Sequence, residues 1–251
     1  MNLGSLALGV LRRWWVVALV VVLWEVVVVA GRVNSVIVPG PAPVVGEFFS
    51  QPIFYLAPLG DTLATAAVGL VCGVCAGYAM AACGWYLPLL GGLLTPLALV
   101  LRSMPFVTLV PVLALVLGYG TTSALVICSV VCFFPTYVLV STGMRTLPGG
   151  AEALFEVAGA SRRVAFRRLV IPASLPSLAT SIRISAATSI LAALVAEYLM
   201  GTPGLASLLY VALDDLLVIK VWTICLVVVV VAIAVFVATT RLEEFVRTRW
   251  Q

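Results

Sequence analysis

Residues 152–176 read EALFEVAGASRRVAFRRLVIPASLP, a charged block set between two long apolar runs. Four arginines and two glutamates fall inside it. In a soluble protein such a block would be ordinary surface. This chain, however, is 63% hydrophobic and only 10% charged over 251 residues, whereas a soluble domain is about 25% charged. No soluble fold of this length hides so much apolar surface, so the flanking runs read as membrane spans and the block as a water-exposed connection between two of them.

Working outward, a hydrocarbon core of about 30 Å needs roughly 20 helical residues. Runs of that kind cover 14–30, 62–83, 87–117, 123–142, 177–200 and 221–240. The expected fold is an all-α integral membrane protein of six spans, forming one domain over 1–251, with 145–176 as the connection between spans four and five. The third run is too long for one simple helix and carries Pro88, Pro96, Pro105 and Pro111. It is expected to be broken or kinked, with an irregular piece packed against protein. Arg12-Arg13 before an apolar run, with Val28-x-Ala30 behind it, resembles a signal peptide. The run is longer than the usual apolar region, and an uncleaved first span is expected.

Arginine placement sets orientation. With the amino terminus inside, Arg12, Arg13, Arg145, Arg162, Arg163, Arg167, Arg168, Arg241, Arg247 and Arg249 are cytoplasmic, leaving only Arg32 and Lys220 outside. Both termini and the charged block are then cytoplasmic, and the net charge of +4 reflects orientation and anionic headgroups, not nucleic acid. Two longer connections face outward. The proline-rich 31–61 holds an apolar patch at Phe48, Phe49, Ile53, Phe54 and Tyr55 that could lie on the membrane surface. The other, 201–220, holds a short amphipathic segment ending in Asp214-Asp215.

Several chemistries are excluded. The chain has no histidine, which removes the commonest metal ligand and general base. Its six cysteines lie in apolar segments, and Cys72-x-x-Cys75 lacks companion ligands, so they read as packing residues. No G-x-x-x-x-G-K-[ST] cradle for a nucleotide occurs.

Within the block, Pro148-Gly149-Gly150 ends the fourth span and a short helix can begin near Ala151. Glu152 falls in its first turn, where the helix dipole favours an acid. Leu154, Val157 and Ala158 share one face, and Glu152 and Glu156 another. Gly159 suits a left-handed stop. A second amphipathic piece over 161–170 is expected to end at Ile171-Pro172. Two short helices at a glycine elbow make a docking surface, not a catalytic pocket.

Gly159, Ala160, Phe166 and Ile171-Pro172 resemble the signature loop of permease subunits of binding-protein-dependent ABC importers: E-A-A, three residues, G, nine residues, then an aliphatic and a proline. LRSMPFVTLVPVLALVLGYG (101–120) and LPSLATSIRISAATSILAALVAEYLMGTPGLASLL (175–209) are similar to the branch importing nitrate, sulfonates, taurine and pyrimidine-like compounds. The resemblance covers about 38–240. It implies that the loop is a coupling helix seated in a cleft of a separate ATPase, through Glu152, Leu154, Glu156, Val157, Gly159, Ala160, Ser161, Arg163, Phe166 and Pro172. The family's glutamate stands six before the glycine, which here is Ala153, so the acidic contact comes from Glu152 or Glu156 or from neither. The chain itself would bind no cofactor, with ATP and magnesium on the partner. The implied partners are a second permease subunit (identical or homologous), two cytoplasmic ATPases, an external solute-binding protein and membrane lipid, with no nucleic acid.

Ionisable residues at membrane depth are candidates for function because they are costly there. Arg102 stands either beside the translocation path, facing an anionic solute, or at the interface with its head in water. Glu197 holds a packing or gating hydrogen bond or meets solute. Arg183 is expected at the interface or paired with loop groups, and Glu25 with a polar group on a neighbouring helix. Pro105, Pro111, Gly118 and Gly120 offer unwound backbone to line a path, and small residues along 181–193 permit close helix approach. An ion-coupled transporter would need a carboxylate relay or an inverted repeat, and an intramembrane enzyme would need clustered ligands. Neither pattern occurs. An exporter subunit would not explain the importer-type loop.

Overall fold

Helices account for the regular structure of this chain, and no strand occurs among the described residues. The computed structural model describes residues 3–31, 34, 37–103, 105–147 and 149–250, with the side chains of 3–14, 90, 95, 97, 99, 101–103, 109 and 250 outside that description. Arg32 and Pro148, and the side chains of Arg12, Arg13 and Arg102, therefore lie outside the described residues. The helices are α1 (Leu3–Ala30), α2 (Pro41–Ser50), α3 (Pro52–Tyr86), α4 (Pro88–Ser103), α5 (Leu109–Leu117), α6 (Thr121–Arg145), α7 (Ala151–Val157), α8 (Arg162–Ala165), α9 (Ile171–Met200), α10 (Leu205–Asp214) and α11 (Val218–Trp250).

Among the described residues, four helical stretches, Pro52–Tyr86, Thr121–Arg145, Arg162–Met200 and Val218–Arg249, are long and apolar enough to cross a membrane. The expected first span, 14–30, falls inside α1, whose apolar stretch Trp15–Ala30 is shorter than these four, and the expected third covers the interrupted tract α4, a 3-10 turn at Phe106–Thr108, and α5. The break at Pro105 is where it was expected. Span limits differ, because a helix need not stop at the bilayer face. Arg162–Met200, 39 residues, is about 58 Å long at 1.5 Å per residue, nearly twice the hydrocarbon thickness. Likewise α3 begins at Pro52 instead of near 62, so the 31–61 connection is mostly helical.

The chain forms two contact-rich units. One joins Met1–Leu56 to Leu208–Val228. Here the proline-rich connection is held by donors that reach its carbonyls. The Trp24 indole donates to Pro39 O at 3.1 Å, the Trp222 indole to Ile37 O at 3.3 Å, and Thr223 Oγ1 to Val44 O at 3.1 Å. The two indoles stack at 5.4 Å. Tyr55 is fully buried and donates to Glu47 Oε1 at 3.0 Å. It therefore does not share the exposed apolar patch with Phe49, Ile53 and Phe54. Its hydroxyl has a carboxylate partner only on the inside, which outweighs the run of apolar neighbours in sequence. Glu25 lies against Gly40, at the start of α2.

The other unit joins Ala57–Ser207 to Val229–Gln251. Its centre is α6, which packs most extensively on α9. Gly143 meets Ser177 too closely for any β-carbon. Gly69, Gly73 and Gly77 of α3, one turn apart, lie directly on α6, with a β-carbon on Gly73 reaching 2.6 Å from Cys132 Cβ. Lipid supplies no hydrophobic drive between helices, so such close backbone packing is what holds them. Cys128 and Cys132 are buried in this contact as packing residues.

Candidate functional site

The charged block forms a helix–turn–helix standing off the end of α6. Gly150, at φ +78°, turns the chain into α7 in a conformation that L side chains adopt only with strain. At the far end Ala160 N–H donates to Phe155 O at 3.0 Å and Gly159 N–H to Glu156 O at 2.9 Å, with Gly159 at φ +63°. These two bonds define a Schellman stop, which satisfies orphan carbonyls and is best made by glycine. The elbow expected at Gly159 is present.

Beyond Ser161, which makes no side-chain cap, the second helix does not end at Ile171-Pro172. It runs from α8 through a π-turn at Phe166–Val170 straight into α9. Pro172 sits in the first turn after that π-turn. A proline lacks the ladder N–H and crowds the carbonyl four residues before it. A wider π-turn relieves both conflicts, so the helix continues where a stop was expected.

The two faces of α7 differ. Leu154 and Val157 are 67% and 88% exposed, and Glu152 and Glu156 are also exposed. Phe155 turns inward, and with Glu152, Glu156, Ala160, Arg162, Trp85 and Leu147 it lines a cleft of about 420 Å³. Arg163 is exposed. The engaged arginine is its neighbour. Arg162 donates to Trp85 O at 2.9 Å and lies over the Trp85 and Tyr86 rings at 5.1 and 5.6 Å. Phe166 packs on the same two rings at 5.0 and 4.8 Å. Sequence spacing gave no reason to choose Arg162 over Arg163, because its partner lies 77 residues away.

In the interrupted tract, the amide and the hydroxyl of Thr108 both donate to Pro105 O, at 3.0 and 2.7 Å, and close the short turn. Pro111 occupies the first turn of α5, where no ladder N–H is needed, and both prolines are exposed. Gly118 and Gly120 have φ of +83° and +137° and end the tract.

Glu197 is fully buried. Thr62 Oγ1 donates to its Oε2 at 2.9 Å, and the same hydroxyl accepts from Leu205 N–H at 2.9 Å. Ala206 N–H points to Oε2 at 3.5 Å. Two of the first N–H groups of α10 are thus met by side chains of α3 and α9, a cap supplied from elsewhere in the fold. Glu197 thus makes the hydrogen bond expected of it, at the start of α10, and Thr62 and Gly204 are partners its sequence context did not indicate.

Arg183 pairs not with loop groups but with Glu243 of α11, which also accepts from Thr180 Oγ1 at 2.6 Å and has Arg247 at 3.7 Å. Glu243 is only 7% exposed. In sequence its helix end reads as an ordinary charged tail.

Residues 73–248 match the family model described as binding-protein-dependent transport system inner membrane component. The chain is 27% identical over 191 residues to the formylaminopyrimidine transport permease protein ThiX of Halalkalibacterium halodurans, covering 74% of this chain and 75% of that one. It is 29% identical over 205 residues to the putative aliphatic sulfonates transport permease protein SsuC of Bacillus subtilis, covering 74% and 68%. Among solved structures it shares its fold with a chain of the inward-facing MetNI methionine ABC transporter, at TM-score 0.65 and 18% identity over 78% of this chain and 98% of that one. A chain of an amino acid ABC transporter aligns with TM-score 0.66 and 12% identity, over 82% and 97%.

Proposed function

Because the chain belongs to the family of binding-protein-dependent transport system inner membrane components, we propose that its 151–166 segment is the handle by which a separate ATPase drives it. The protein is an integral inner-membrane permease subunit of an ABC importer for a small solute. The observation that carries the handle assignment is the exposed Leu154–Val157 face on a helix that is stopped and aimed by Gly150 and Gly159. Apolar side chains outside the spans and without a partner mark an interaction surface.

In this reading both termini and the handle are cytoplasmic, as the arginine distribution supports. Leu154 and Val157 enter a cleft of the ATPase, with Glu152 or Glu156 beside them and Ala160, Ser161, Arg163 and Phe166 following. Pro172 shapes the helix behind the handle. The whole chain acts as one permease domain and pairs with a second permease subunit. Two ATPases hold the ATP and magnesium, and an external binding protein delivers the solute. ATP draws the handles together and biases the pair between two access states. The exposed, unwound backbone at Pro105, with the first turn of α5 at Pro111 and Arg102 near it, borders the path. The solute is small and polar or anionic, which the names of the sulfonate and formylaminopyrimidine relatives support.

The test is co-purification of the permease with its ATPase from membranes. Leu154→Glu and Val157→Glu should insert normally, since both positions are exposed, and should lose the ATPase. Retention of the ATPase by both variants would overturn the assignment.

A further inference from the structure

We propose that Trp85 and Tyr86, at the turn from α3 to α4, are positioning residues that carry movement of the 151–166 handle sideways into α4 and the interrupted tract beyond it. The inference rests on the handle being the ATPase dock. Two routes lead away from that dock. One runs along the helix axis into α9, and the other crosses to the α3–α4 turn.

The axial route is interrupted. The π-turn at Phe166–Val170 and the proline two residues after it replace regular α-ladder between handle and span. Helices kink at such segments. The lateral route is continuous. Arg162 caps the last turn of α3 by donating to Trp85 O, where a cation also meets the negative end of the helix dipole. Its guanidinium covers both rings, and Phe166 packs on both. Trp85 and Phe166 then join one apolar cluster with Leu94 and Ala98 of α4 and Met144 of α6. On the other side of the turn Gly84 and Gly91 touch backbone to backbone, and the Arg145 guanidinium lies against Gly91. The turn is gripped from two sides, and the helix leaving it leads to the break at Pro105. A displacement of Arg162 and Phe166 thus has a packed path to the tract beside the one through the π-turn into α9.

The experiment uses the permease–ATPase complex in nanodiscs and needs no solute. Hydrogen–deuterium exchange of 103–120 is compared without nucleotide and after trapping with Mg-ATP and vanadate. The wild type should change its exchange in this segment on trapping. Trp85→Ala/Tyr86→Ala should keep the ATPase bound and hydrolysing within about twofold of wild type, yet lose most of that change, at least fivefold. Trp85→Phe/Tyr86→Phe should retain it, because the ring faces remain. Arg162→Gln reads the same contact from the other side should the alanine pair fail to insert, and should lose the change in part. No change on trapping in the wild type would overturn the relay, and so would a full change in the alanine variant. Loss of the ATPase from the alanine variant would do so too, by making these rings part of the dock. Failure of the dock itself shows separately, as retention of the ATPase by Leu154→Glu.

Discussion

The carboxylate of Glu197 fills the space in which a β-carbon of Gly204 would stand. Gly204 also has φ +151°, in the region that side chains rarely adopt. Gly204→Ala therefore meets both backbone strain and overpacking, together costing about 2–4 kcal/mol. Thermal unfolding in detergent should show a Tm several degrees below wild type. Gly60→Ala is the control, because its β-carbon meets open space and alanine favours a helix by about 1 kcal/mol. It should unfold no earlier than wild type.

Thr62 both donates to Glu197 and accepts from Leu205 N–H. Thr62→Val keeps the shape, strands the buried Leu205 amide and leaves Glu197 Oε2 with only the longer contact to Ala206 N–H, at about 1–3 kcal/mol. Thr62→Ser retains the hydroxyl and should cost well under half of that. Amide exchange at the start of α10 should accelerate in the valine variant alone. Equal exchange in the two variants would remove Thr62 as the cap of α10.

The parts of this fold legible in sequence are those with short-range causes. The elbow at Gly159, the start of α7 and the break at Pro105 each follow from one residue's backbone preference, and each is present. What the sequence did not disclose is pairing at long range. Glu197 with Thr62, Arg183 with Glu243, and Arg162 with Trp85 are separated by 135, 60 and 77 positions, and no local period encodes them. Ile171-Pro172 misled for a different reason. Proline kinks or ends a helix when the turn before it cannot adapt, and here the π-turn at 166–170 adapts.

Arg183 and Glu243 form an ion pair that is mostly shielded from water. Removing one partner leaves the other charge buried, so Arg183→Met alone should cost about 3 kcal/mol. Glu243→Leu alone should cost a similar amount, since it leaves the Arg183 charge without its carboxylate. The double variant replaces the pair by apolar contact and should lie closer to wild type than the sum of the two. A thermodynamic cycle on detergent-unfolding free energies measures this coupling, and strict additivity would show that the pair contributes nothing.

The glycine stripe makes the sharpest demand on α6. A β-carbon on Gly73 would stand 2.6 Å from Cys132 Cβ and closer still to the carbonyl of Ser129, which is backbone and cannot swing aside. Gly73→Ala gains about 1 kcal/mol of helix propensity, but the whole of α3 must lift to admit the methyl group. Lifting it opens the neighbouring contacts of Gly69 and Gly77 as well, and overpacking of this kind costs about 1–3 kcal/mol. The clash outweighs the propensity, so Gly73→Ala should lower Tm although the same change at Gly60 does not. Gly73→Leu, which cannot be admitted by a small shift, should leave α3 undocked. Thiol labelling reads that directly: Cys128 and Cys132, buried where α3 meets α6 in the wild type, should resist a maleimide in detergent, located by mass spectrometry, and react beside Gly73→Leu. Labelling at the wild-type rate in that background would show that the stripe does not set the approach of α3 to α6.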